Sequence, residues 1–167
     1  MASLLGLGDL GPEAADLLPD LEKLATDPVP EVRHTVVPVA AKMNSLESMR
    51  RLLSADDPQV RRDVIDQLTL PNFGINAIPL LASALEDTSG EVSSDAAAKL
   101  GDIGIPAVAA LAQLEQAALH SPDTQTRIES LRALKRIGPQ GWSTIDRALQ
   151  DPDESVRNYA AQMLRRD

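Results

Sequence analysis

Apolar residues recur along the chain at helical spacing, in strings that resemble one another. Val32, Val36, Val37 and Ala40 stand at positions i, i+4, i+5 and i+8. So do Val60, Val64, Ile65 and Leu68, then Val92, Ala96, Ala97 and Leu100, then Val156, Ala160, Ala161 and Leu164. Leu131 and Leu134 keep part of the same stripe in one further string. This period places each set on one face of a helix and predicts that face to be buried. These segments are termed second helices and are placed over 31–43, 59–70, 91–102, 125–137 and 155–166.

Each stripe begins at a Val-Arg joint or its remnant. The joints are Val32-Arg33, Val60-Arg61, Val92-Ser93, Thr126-Arg127 and Val156-Arg157, separated by 28, 32, 34 and 30 residues. Periods of this length mark helical solenoid repeats. A turn precedes every joint: DPVP at Asp27, ADDP at Ala55, DTSG at Asp87, SPDT at Ser121 and DPDE at Asp151. Asp, Ser and Thr cap the free N–H groups of a following helix, and Pro fits the first turn, where a missing donor costs nothing.

The strings LGDLGP from Leu7, LGDIGIP from Leu100 and LKRIGP from Leu134 close the unit. Gly ends one helix and Pro opens the next. First helices are therefore expected over 12–26, 46–54, 75–86, 105–120 and 139–150. Pro38 falls inside a second helix, where it removes a hydrogen bond and predicts a kink costing about 3 kcal/mol unless packing absorbs it. Pro19 and Pro79, each eight residues before a turn Asp, predict a repeat-specific bend. TLPNFGIN over 69–76 is the least regular connection and the expected hinge.

Taken together, the LG-[DK]-[IL]-G-P ending, the Leu pairs of the first helices, the Asp-Pro turn and the Val-Arg joint resemble HEAT repeats. They are most similar to the short variety of about 30 residues in phycobilisome-lyase-like proteins. The resemblance covers nearly the whole chain. It implies an all-α fold, a right-handed α-α superhelix of about five helical hairpins. One domain over 1–167 is expected, with a partial repeat at 1–11 and full ones near 12–44, 45–70, 75–103, 104–138 and 139–167. It also implies a ladder of ion pairs between neighbouring repeats, formed by Arg33, Arg61, Arg127 and Arg157 with Asp27, Asp57, Asp87, Asp123 and Asp151. Bidentate guanidinium–carboxylate pairing would fix the register of such a ladder, while the apolar stripes carry stability.

In this family the second helices line a concave binding face. They hold 12 basic and 7 acidic residues, against 4 and 18 in the remainder of the chain. With the joint Arg residues set aside, that face is near neutral. Its variable positions supply the candidate partner contacts Arg62, Asp63, Asp66, Asp95, Lys99, Arg132, Tyr159 and Gln162.

Composition narrows the chemistry. The 167 residues contain no cysteine, which excludes disulfides, thiolate metal sites and cysteine nucleophiles. Asp63, Asp95 and Glu129 occupy matching positions on three successive helices. Helices about 8–10 Å apart hold such short side chains too far apart to share a metal ion easily, and Lys99 and Arg132 offer intrahelical partners to Asp95 and Glu129. HEAT-like diiron hydroxylases need His-Glu pairs. Here the two histidines read His34-Thr35 and His120-Ser121, so that activity is not expected, and both are read as surface or helix-end residues.

A net charge of −9 argues against nucleic acid, as does the scarcity of aromatics, with one Trp, one Tyr and one Phe. Trp142 and Tyr159 are expected to pack in the last repeat. The opening MASLLGLGDLG is no secretory signal, and no stretch reaches the roughly 18 uncharged apolar residues of a membrane span. A cytoplasmic protein is expected. It is read as a non-catalytic scaffold or adaptor with a protein partner, no cofactor, no metal and no membrane. A phycobilin lyase-like, chromophore-handling subunit is the alternative, and a nucleic-acid binder stands behind it. The opening LLGLGDLG resembles the tail of a second helix without its partner, which suggests self-association or a longer array.

Overall fold

The computed structural model describes residues 16–165, which are helical with no strand among them. Contacts divide the chain into two compact units, residues 1–77 and 78–167. The division falls directly after the irregular segment 69–76. The expected partial repeat at 1–11, the LGDLGP ending and the first residues of the helix at 12–26 lie outside the described residues.

The first unit contains α1 (Leu18–Lys23), α2 (Pro30–Lys42), α3 (Leu46–Leu52), α4 (Pro58–Gln67) and the single turn α5 (Leu70–Phe73). The second unit is opened by α6 (Ala77–Ala84), of which it holds all but the first residue. It continues through α7 (Gly90–Ile103), α8 (Leu111–His120), α9 (Thr124–Ile137), α10 (Trp142–Ala148) and α11 (Glu154–Leu164). The second helices α2, α4, α7, α9 and α11 thus stand where the stripes place them.

Nearly every stripe residue is buried. Val32, Ala161 and Leu164 alone among them keep partial exposure. Burial of a Val, Ile or Leu side chain contributes about 1.5–3 kcal/mol, so these positions dominate the stability of each unit. Between α7 and α9 the backbones pack closely at Gly101, where an added Cβ would lie 3.1 Å from the Ala133 Cα. A larger residue there would hold the two helices apart.

The first helices are shorter than expected. The spans 105–120 and 139–150 each begin as 3-10 turns, over Ile105–Ala110 and Pro139–Gly141, before α8 and α10. Gly104 and Gly138, at φ 71° and 132°, end α7 and α9 as the LGDIG and LKRIG strings predict. No Gly follows α2. There Asn44 takes the left-handed conformation at φ 53°, and the Ser45 N–H closes the end by donating to the Ala40 carbonyl at 3.3 Å.

Pro19 and Pro79 each lie in the first turn of a helix, α1 and α6, where no N–H is missed. The segment 69–76, expected to be the least regular connection, is built of short helical turns. Thr69 caps α5 by accepting the Asn72 N–H at 3.4 Å, and a 3-10 turn over Gly74–Asn76 follows. Pro38 does lie inside α2, which nevertheless runs on to Lys42.

Candidate binding groove

The joints are built from their own backbone. Asp27 Oδ1 accepts the Val29 N–H at 2.8 Å, Asp57 Oδ1 that of Gln59 at 2.9 Å, and Asp87 Oδ1 that of Ser89 at 2.8 Å. Each joint Arg then folds back onto its turn through Nη1. Arg33 donates to the Asp27 carbonyl, Arg61 to Ala55, Arg127 to Ser121 and Arg157 to Asp151, all at 2.7 Å. These turn carbonyls have no helical donor, so the guanidinium satisfies them.

Arg33 and Arg127 also reach forward by 24 residues. Arg33 Nε donates to Asp57 Oδ2 at 2.8 Å. Arg127 Nη2 donates to Asp151 Oδ1 at 3.3 Å, with Nε 3.0 Å from Oδ2 but off the hydrogen-bond axis. The acceptors are not one column. Asp57 lies four residues before its joint Arg and Asp151 six, because Ala55 holds the earlier position in the second joint. The Gln59 N–H, then Arg33, hold the Asp57 carboxyl below the ordinary carboxylate range, and the Ser155 N–H, then the Thr124 hydroxyl, do the same for Asp153.

In the first unit α2 and α4 enclose an open groove of about 410 Å³. His34 and Pro38 form one wall, and Gln59, Asp63, Asp66 and Gln67 the other. Pro38 has no N–H to offer the His34 carbonyl. His34 Nδ1 lies 2.8 Å from Asp63 Oδ2, and Gln59 Nε2 donates to Asp63 Oδ1 at 3.0 Å. Both Asp63 oxygens are thereby fixed in direction while the carboxylate charge stays at the groove. Asp66, one turn further along α4, adds a second carboxylate.

His34, expected to be a surface or helix-end residue, is a partly exposed residue of this groove with a carboxylate partner. Aligning the repeats by their joints sets His34 beside Arg62, and the actual partner is the next residue. Helices in contact meet along a diagonal, so the repeat columns miss this pair by one position. Arg62, also expected at the contact surface, does not line the groove; it lies 3.5 Å from Gln59 Oε1.

In the second unit two of the expected contacts, Arg132 and Tyr159, engage each other. Arg132 donates through Nε to the Tyr159 hydroxyl at 2.9 Å, lies over its ring at 5.7 Å, and pairs through Nη1 with Glu129 at 2.9 Å. Arg136 pairs with Asp102, and Lys135 donates to the Met163 carbonyl at 3.1 Å. Asp95 and Lys99 lie on α7 with partners of their own, and Gln162 is exposed on α11. Trp142 does not pack in the last repeat as expected. It is 48% exposed, at the edge of an open cavity it shares with Ile145 and Met163. No group of three or more His, Asp or Glu side chains among the described residues could hold a metal ion, and none of their helices is long and apolar enough to cross a membrane.

No family model matches the chain, and no curated protein matches it. Solved structures do. Human deoxyhypusine hydroxylase is similar at a TM-score of 0.62 and 22% identity, over 89% of this chain and 61% of that one. A designed armadillo repeat protein gives 0.55 and 18% over 98% and 91%, and an engineered protein gives 0.54 and 22% over 97% and 86%. The chain has a helical-repeat fold of the armadillo and HEAT solenoid class.

This result corrects the functional expectation. The reading as a non-catalytic scaffold or adaptor leaned on the fold, and the same fold occurs in an enzyme, deoxyhypusine hydroxylase. A fold hosts unrelated activities, so fold class cannot set this chain apart from catalysis. The scaffold reading is withdrawn together with its lyase and nucleic-acid alternatives.

Proposed function

We propose that the chain is a recognition module that holds a basic polypeptide segment in the α2–α4 groove of its first unit. One observation carries the reading: Asp63 and Asp66 stand one turn apart in an open groove of about 410 Å³, with His34 and Gln59 fixing the direction of the nearer carboxylate. A Lys or Arg side chain entering the groove meets charge that is already oriented, which lowers the ordering cost of binding. The net charge of −9 favours encounter with a basic partner. It is also our reading that the repeats belong to the short HEAT variety, supported by their spacing of 28 to 34 residues.

The experiment is a calorimetric titration with a Lys- and Arg-rich peptide at two ionic strengths. The double variant Asp63→Asn, Asp66→Asn is expected to weaken binding at least tenfold and to flatten its salt dependence. Equal affinity in the variant would refute the groove as the site.

A further inference from the structure

Four of the five joints hold a guanidinium, and the third holds Ser93 in its place. The filled joints show what such a group does there. Arg33 Nη1 bonds the carbonyls of Asp27 and Pro28 at 2.7 and 3.3 Å, while its Nε bonds Asp57 of the next joint. Arg157 Nη1 bonds the carbonyls of Asp151 and Pro152 at 2.7 and 2.8 Å. In the third joint the matching residues, six and five before Ser93, are Asp87 and Thr88.

Ser93 is too short to reach that far. Its hydroxyl bonds the Ser89 and Gly90 carbonyls, both at 3.3 Å, and the Thr126 hydroxyl at 2.8 Å. Across from it, Asp123 caps α9 through Oδ2, which accepts the Thr126 N–H at 2.6 Å and its O–H at 2.7 Å. Asp123 Oδ1 has no hydrogen-bond partner among the described residues. Gly90 admits Asp123 to this place, since an added Cβ would lie 2.7 Å from the Asp123 Cγ and Oδ1.

The volume of the missing side chain is left open. Asp87, Thr88, Gly90, Ser93, Pro122 and Asp123 border a cavity of about 300 Å³. A second cleft of about 390 Å³ adjoins it through Asp87, Thr88, Ser121 and Pro122, and continues past Gln113, Gln116 and His120.

We infer that this cavity is a binding site for a guanidinium group, presented by an arginine side chain of another polypeptide. The chain itself supplies the template, because the same joint backbone binds guanidinium wherever a repeat carries its own Arg. The planar fork can span a turn carbonyl and the carboxylate of the next joint together, whereas a compact ammonium concentrates its donors at one point. The adjoining cleft, where Leu85 and Ala117 stand among Gln113, Gln116 and His120, gives the rest of the segment a channel to lie in. The site lies wholly in the second unit and stands whatever the α2–α4 groove binds.

The test is amide chemical-shift titration of the full chain with three capped residues: N-acetyl-arginine amide, its neutral isostere N-acetyl-citrulline amide, and N-acetyl-lysine amide. Saturable shifts of the Gly90, Asp123 and Thr126 amides are expected with arginine, several-fold weaker ones with lysine and none with citrulline. Free L-arginine is a fourth arm; its α-carboxylate opposes Asp123, so it is expected to bind more weakly than the capped residue. Ser93→Arg, which supplies the guanidinium from within, should abolish the arginine response. Asp123→Asn keeps the helix cap and should weaken it at least tenfold. Shifts of equal size with citrulline, no saturable shift with arginine, or an unchanged response in a folded variant of either kind would each overturn the assignment.

Discussion

Arg127 reaches forward 24 residues to Asp151, with its Nη2 3.3 Å from Oδ1 and side-chain exposures of 10% and 3%. The pair joins the last two second-helix repeats of the second unit at a place where water cannot substitute. Arg33 and Asp57 make the corresponding contact in the first unit at 20% and 22% exposure.

That difference in burial sets the cost of removal. Truncating one partner of a buried pair strands the other, at about 3–5 kcal/mol, while a partly exposed pair contributes about 0–1 kcal/mol. Arg127→Ala is therefore expected to destabilise by about 3 kcal/mol and Arg33→Ala by about 1 kcal/mol. Denaturant unfolding of the two variants side by side checks the ranking, and equal losses would count against it.

Acid should act through the joints. Folding holds the Asp57 and Asp153 carboxyls below their ordinary value of 3.8, so each contributes stability that is complete above that value. The contribution is lost as pH falls through the lowered folded-state value. Asp57→Asn and Asp153→Asn together should flatten the acid limb of a stability profile below about pH 4. An unaltered limb would show that these caps take no part in acid unfolding.

Gly101 sets the approach of α7 to α9. In most helices Gly→Ala stabilises by up to about 1 kcal/mol. Here the new Cβ meets the Ala133 backbone at 3.1 Å, and a helix backbone cannot turn aside as a side chain can. Gly101→Ala is expected to lower stability by about 1 kcal/mol, consistent with overpacking. A higher melting temperature for the variant would contradict this packing.

Tyr159→Phe separates two contacts of Arg132. It deletes the hydroxyl that accepts from Nε and leaves the ring under the guanidinium. The loss should stay below about 1 kcal/mol, since the contact is exposed and Glu129 still pairs with Arg132. A larger loss would make the hydroxyl the main tie between α9 and α11.

Much of the fold was legible because its signals are local. The stripe from Val60 to Leu68, the Asp57 cap and the Gly104 helix end each depend on residues within one or two turns. The candidate site was less legible. Asp63 and Asp66 stand out as variable positions on α4, yet the wall opposite them is His34 and Pro38, which the repeat alignment sets out of register by one residue. Trp142 was misjudged because apolar character alone does not say which side of α10 faces the neighbouring helix. The ladder acceptors Asp57 and Asp151 occupy different joint positions, a choice made by whichever carboxylate the guanidinium can reach. Ser93 reads in sequence as a lapsed repeat, and only the structure reveals the cavity beside it.

The most direct measurement of the central claim is a residue-resolved map of where a basic peptide binds. Amide shifts of the labelled full chain, recorded with a Lys- and Arg-rich peptide, should move first and saturably at His34, Gln59, Asp63 and Gln67, and those shifts should vanish in Asp63→Asn, Asp66→Asn. Saturable shifts that leave these four residues untouched, or a peptide that produces none, would contradict recognition by the α2–α4 groove.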